Sequence, residues 1–195
     1  VSQTKPAEAS LVSGKNVADN AFDGNLTTRW YDGEQKPGNW LAVNLENVYD
    51  LSKVEIYWDA TGEPVYAYEY SLQVSDNGVD YETFYHGTCN DDGPVTVDVS
   101  EVQGQYVRLY IDKNGMWGTA VMEMKVYGTK VETVTTHDVT YTLTHVTAAN
   151  QPATVEDGKT LNATLTAENG YKLPDTITVT MGGAATQFTY DKTTG

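Results

Sequence analysis

The stretch Asn20-Ala21-Phe22-Asp23-Gly24-Asn25-Leu26-Thr27-Thr28-Arg29-Trp30 gathers oxygen donors into one tight loop: a carboxylate, a glycine for a sharp turn, an asparagine and two threonine hydroxyls, closed by a large aromatic side chain. Hard cations such as Ca²⁺ take about 6–8 oxygen ligands, many of them backbone carbonyls of such loops. The same residues also make a plain turn in which Asp23 accepts backbone N–H groups, and the spacing alone leaves both readings open. Other chemistry-bearing residues are dispersed. Cys89 is the single cysteine, and His86, His137 and His145 lack a metal-site or nucleophile partner at a recognisable spacing. The carboxylate pairs Asp59 with Glu63 and Asp91 with Asp92 read as solvated loop charges, because nothing places one in an apolar pocket suited to general acid work. Phosphate-loop, nucleophile-elbow and zinc-protease motifs are absent from the sequence. A binding module rather than an enzyme is expected.

The elements that must position these residues read as strands. Val54, Ile56 and Trp58 alternate with Lys53, Glu55 and Tyr57. The same period of two runs through Tyr70, Leu72 and Val74, through Val107, Leu109 and Ile111, and through Met122, Met124 and Val126. Glu123 is out of phase with that last set. Ser75-Asp76-Asn77-Gly78 predicts a tight hairpin. No helical stripe is sustained, so many short strands joined by Gly/Asn/Asp turns indicate an all-β sandwich or jelly roll.

With 27 acidic against 12 basic residues the net charge is −15, which disfavours phosphate backbones and anionic lipid headgroups. Nucleic acid and membrane lipid are therefore not expected partners. No apolar run reaches the ~18 residues of a membrane span. Nor does the start carry a signal-peptide pattern, so the chain reads as a soluble piece of something longer. Composition shifts near Gly128. Residues 1–128 hold all four tryptophans and a net charge of −12, whereas residues 129–195 hold 19 threonines and a net charge of −3. Two domains, 1–128 and 129–195, are expected.

The first part resembles the discoidin or coagulation-factor C-type domain, in particular the family 32 carbohydrate-binding modules. Asp23-Gly24-Asn25 with Thr28 and Trp30 is similar to the family's opening signature, and Lys5-Pro6-Ala7-Glu8-Ala9-Ser10 to its first strand. Trp40-Leu41-Ala42-Val43-Asn44-Leu45, Tyr70-Ser71-Leu72-Gln73-Val74-Ser75-Asp76-Asn77-Gly78, Tyr106-Val107-Arg108-Leu109 and the segment from Met122 to Gly128 follow in the family's order. The resemblance implies an eight-stranded jelly-roll sandwich with a structural Ca²⁺. The ligands it implies are the Asn20 carbonyl, the Asp23 carboxylate, the Asn25 carbonyl, Thr28, the Met122 carbonyl and the Glu123 carboxylate. It also implies a glycan site on the loops at one end, here residues 31–39, 59–66 and 113–118. Those loops carry Tyr31, Asp32, Glu34, Asp59, Glu63, Tyr66, Asn114 and Trp117, and the glycine-flanked Trp117 is the expected sugar platform. Trp30, Trp40 and Trp58 are expected in the core.

Galactose-binding members carry a His after the position of Trp30 and an Arg near Asp59; this chain has Tyr31 there and no Arg between residues 30 and 107. Galactose is thus one option beside N-acetylhexosamines and cationic amino sugars, and the acid-rich loops would repel sialic or uronic acids. The competing reading is a protein-binding adhesion domain without sugar recognition. The second part resembles threonine-rich immunoglobulin-like modules of Gram-positive surface proteins, most clearly from Gly170 to Gly183. It is expected to be a spacer missing its final strands, with strands at 139–145, 160–166, 177–181 and 187–190. Together these imply a secreted or cell-wall module that targets a larger parent protein to glycans.

Overall fold

The spine of the first unit is one 19-residue strand, β3 (Trp40–Trp58). Around it the chain forms β1 (Ala7–Ala9), a 3₁₀ turn at Ala18–Ala21, β2 (Trp30–Tyr31), β4 (Glu69–Ser75), β5 (Glu82–Thr88), β6 (Val95–Asp98), β7 (Gln103–Lys113) and β8 (Ala120–Lys130). This computed structural model describes residues 1–59, 69–89, 93–115, 117–181 and 183–193. The chain divides into two compact units, Val1–Val131 and Glu132–Gly195.

Residues 40–44 of β3 pair with β7 and 41–43 also with β1, whereas residues 49–58 pair with β8 and, over 53–56, with β6; Tyr49 and Asp50 keep a pairing with β7 past the break. The register breaks between Asn44 and Tyr49. There Glu46 takes a left-handed φ of 65°, a strained position for a side-chain-bearing residue. Its N–H donates to Asn44 Oδ1 at 2.8 Å, which holds the bend. Through this bend β3 passes between two antiparallel layers, β1-β3-β7-β4-β5 and β2-β8-β3-β6. Leu41, Val43, Leu45, Leu72, Val107, Leu109 and Ile111 face inward from the first layer. From the second come Trp30, Val54, Ile56, Trp58, Val97, Val121, Met124 and Val126, all part of one buried cluster.

Three local expectations are corrected. Trp40 lies half-buried on the outer face, because its neighbours Leu41, Val43 and Leu45 occupy the inward phase. An irregularity opposite Tyr57 and Trp58 shifts β8 by one residue, so Val121 rather than Met122 reaches the core. The β4–β5 connection is a six-residue loop, not a two-residue hairpin; Asn77 Oδ1 accepts the N–H groups of Val79 and Asp80, both at 2.9 Å.

In the second unit β9 (Thr136–Asp138) pairs with β11 (Thr154–Glu156), β10 (Val146–Ala149) with β12 (Thr164–Ala167), and β13 (Thr180–Met181) with β14 (Ala184–Ala185). None of its described residues is buried. A seven-strand immunoglobulin-like sandwich built on a core is not seen among them. Residues 139–145 and 187–190 form no strand, although Val139, Tyr141 and Leu143 in the first and Phe188 and Tyr190 in the second alternate with polar residues.

Candidate functional site

At one end of the sandwich, buried Asp32 (1% exposed) ties three segments together. Its Oδ1 accepts the N–H of Thr119 at 2.8 Å and of Glu34 at 3.3 Å. Its Oδ2 accepts the side-chain amides of Asn114 at 2.9 Å and Asn39 at 3.2 Å. Burial pushes the Asp32 carboxyl above the usual range, and these four donors oppose that shift. The Asn114 amide also donates to the Glu34 carbonyl and to Thr119 Oγ1, both at 3.2 Å. Gly118, at φ 93°, packs so closely that a Cβ would lie 2.6 Å from Asp32 Oδ1 and 3.0 Å from the Glu34 carbonyl. The loops at 31–39 and 113–118 are thereby joined.

On this base sits an exposed aromatic surface. Trp117 is 48% exposed, and its carbonyl accepts the Tyr31 hydroxyl at 2.8 Å. Because Trp30 points into the core, Arg29 and Tyr31 emerge together on the opposite side, with the guanidinium 5.2 Å from the ring centroid. Arg29 also forms an ion pair with Asp59, whose side chain is buried. Glu34 keeps an exposed carboxylate 3.2 Å from the exposed Lys36 ammonium, a surface pair worth little.

Among the sequence-derived site residues, Trp117, Tyr31 and Glu34 therefore offer surface, whereas Asp32, Asn114 and Asp59 lie beneath it. Glu63 and Tyr66 fall outside the described residues. Sequence reasoning passed over Arg29, Asn39 and Thr119. Arg29 was the recoverable one, since it stands two residues from Tyr31 and so shares its face.

The oxygen-rich loop adjoins the N-terminal segment. Asp23 Oδ1 accepts the N–H of Asn25 at 2.8 Å and Oδ2 the hydroxyl of Thr28 at 2.7 Å. That hydroxyl also lies 2.8 Å from the Asn25 carbonyl. Glu123 is fully buried; it accepts the Gly24 N–H at 3.0 Å and the Gln3 amide at 2.7 Å. Burial raises its pKa, and the nearby Asp23 charge raises it further. The Asn20 amide closes the loop by donating to the Lys15 and Arg29 carbonyls, both at 3.0 Å. Met122 stands half-buried at the irregularity in β8, beside Glu123. No group of three or more His, Cys, Asp or Glu suited to a metal occurs among the described residues. The oxygens gathered here are two carboxylates with neutral donors between them.

The first unit is an antiparallel β-sandwich whose hydrogen-bonded loop end presents an exposed tryptophan. Residues 5–124 match the F5/8 type C domain family, and the chain belongs to it. Chitosan-binding module 1 of a chitosanase/glucanase from Paenibacillus sp. IK-5 is 32% identical, with a TM-score of 0.60 over 65% of this chain and 97% of that one. Module 2 of the same enzyme, solved with chitotriose, is 26% identical, with a TM-score of 0.60 over 65% and 98%. The family 32 module of Clostridium perfringens NanJ, solved with galactose, shares the fold at 23% identity and a TM-score of 0.57, over 62% and 91%. Among curated proteins nothing matches.

Proposed function

We propose that the first unit is a non-catalytic carbohydrate-binding module whose loop end takes a glycan bearing a cationic amino sugar. The exposed Trp117 ring, on a backbone whose carbonyl accepts the Tyr31 hydroxyl, carries this reading. Such a ring packs against the C–H face of a pyranose. Glu34 supplies an exposed carboxylate on the adjoining loop, and the surplus of 27 acidic over 12 basic residues favours a cationic sugar. The 32% identity to a chitosan-binding module supports the same substrate class. A site with one aromatic and few polar groups binds weakly, at about mM to µM, and gains from repetition in a parent protein. The second unit serves as a spacer, and the whole acts outside the cell.

The donor set of Asp23, Glu123, Thr28 and the Asn25 carbonyl suits a hard cation, with Asn20 and Met122 completing it through their carbonyls. A Ca²⁺ there would neutralise the buried Glu123 and its neighbour Asp23, tying the loop to β8. Its role is structural.

A glycan-array screen of the full chain, multimerised and run beside Trp117→Ala, tests the reading. Binding to glucosamine-containing glycans, lost in the variant, is expected. Silence from a folded chain, or equal binding by Trp117→Ala, overturns it.

A further inference from the structure

The chain has two arginines, and they are treated differently. Arg29 is matched by Asp59. Arg108 projects from β7 onto the outer face of the first layer, opposite in phase to the core residues Val107 and Leu109. Its guanidinium stacks on Tyr81 at 3.7 Å from the ring centroid, with Trp40 at 5.8 Å and Tyr110 at 5.7 Å. Nε donates to Gln73 Oε1 at 2.7 Å. The remaining four N–H donors meet no acceptor and no carboxylate among the described residues, in a chain with 27 acidic side chains. Burial pulls its pKa downward, which reflects water withdrawn from the cation.

Around it lies a groove of about 180 Å³, lined by Trp40, Tyr81, Tyr106 and Asn44. The Tyr106 ring is pressed against Gly78, where a Cβ would lie 3.0 Å away, so this wall is fixed by the 76–81 loop. A half-dehydrated fork held flat by an aromatic ring is preorganised for a planar two-oxygen anion. The flanking rings suit the C–H face of a sugar.

We propose that this outer-face groove is a second glycan subsite, taking a uronic acid residue whose carboxylate pairs with the free edge of Arg108. It uses residues of β3, β7 and the 76–81 loop, and does not rest on the amino-sugar reading of the loop end. Among the described residues Glu8, exposed on β1, is the one carboxylate lining the groove, and it weakens the site.

The test is an NMR titration of the full chain at low salt with trigalacturonic acid and with its carboxyl-reduced neutral counterpart. Trigalacturonic acid should saturate, at least tenfold more tightly than the neutral trisaccharide, and Trp117→Ala should bind it as the parent does. Arg108→Gln should weaken it at least tenfold. Arg108→Lys, which keeps the charge but not the fork, should fall between. Glu8→Gln, a change at an exposed rim, should tighten it about threefold. Equal affinity for the two trisaccharides, or no saturation, overturns the proposal. So does binding that survives Arg108→Gln but is lost in Trp117→Ala, which would place the acid at the loop end.

Discussion

Replacing Asp32 with Ala should unfasten the loop end from below. The carboxylate accepts four hydrogen bonds, two of them short, at 2.8 Å from Thr119 and 2.9 Å from Asn114. Hydrogen bonds to a charged group contribute about 1.5–3 kcal/mol each, and an orphaned buried donor costs about 1–3 kcal/mol. The Asn39 and Asn114 amides can turn toward water, but the N–H of fully buried Thr119 cannot. Relief of the carboxylate's own desolvation offsets part of the loss, which leaves a net destabilisation of about 3 kcal/mol. For a unit of this size that is a fall in Tm of roughly 10 °C. Tryptophan fluorescence reads it cleanly, since all four tryptophans lie in the first unit. Glycan affinity, measured well below the lowered Tm, should fall at least about tenfold as Trp117 loses its support. A Tm within about 3 °C of the parent, or unchanged affinity, would refute the assignment of Asp32 as the hub.

Glu123→Gln, in chelator at pH 7, should melt no lower than the parent, and only the parent should gain on adding Ca²⁺, by about 2.7 kcal/mol at a hundredfold excess over Kd. A Ca²⁺ rise in both proteins would remove Glu123 from the site. The folded pKa of Glu123 lies above its ordinary value of 4.5, so its contribution is intact below that pH and lost as pH rises through the folded pKa. The Tm advantage of Glu123→Gln in chelator should therefore grow from pH 4 to pH 7; a constant difference contradicts the burial argument. Gly118→Ala should reduce glycan binding at least as much as it reduces stability, because its Cβ would press on Asp32 Oδ1 at 2.6 Å. Gly87→Ala, whose Cβ would meet the buried Tyr70 ring at 2.2 Å, should lower the Tm by roughly 10 °C through overpacking, read by the same fluorescence melt.

Much of the sandwich was legible because its strands bury one face. Val54, Ile56 and Trp58, or Val107, Leu109 and Ile111, announce both the strand and its inward side. The phase failed where a local irregularity intervened: nothing in Met122-Glu123-Met124 marks the shift that brings Val121 inward. Trp40 misled for a related reason, since the flanking Leu41 and Val43 claim the core and leave the tryptophan outside. At the loop end, residues 31–39 and 113–118 do come together, but the depth of their side chains was not legible in the sequence. Asp32 and Asp59 look like exposed loop acids in the sequence, and only tertiary partners, Thr119, Asn114 and Arg29, draw them under the surface. The second unit was read least well. Its alternation is carried by threonine, which favours strands without dictating what they pack against.

The central claim is that Trp117 and the exposed Glu34 carboxylate hold a cationic amino sugar. Calorimetric titration of the full chain with a glucosamine trimer and with the fully N-acetylated trimer, at low and high salt, tests it most directly. The account predicts tighter binding of the cationic trimer, an advantage that shrinks at high salt, and loss of binding in Trp117→Ala. Equal affinity for both trimers at low salt, or binding untouched by Trp117→Ala, would contradict it.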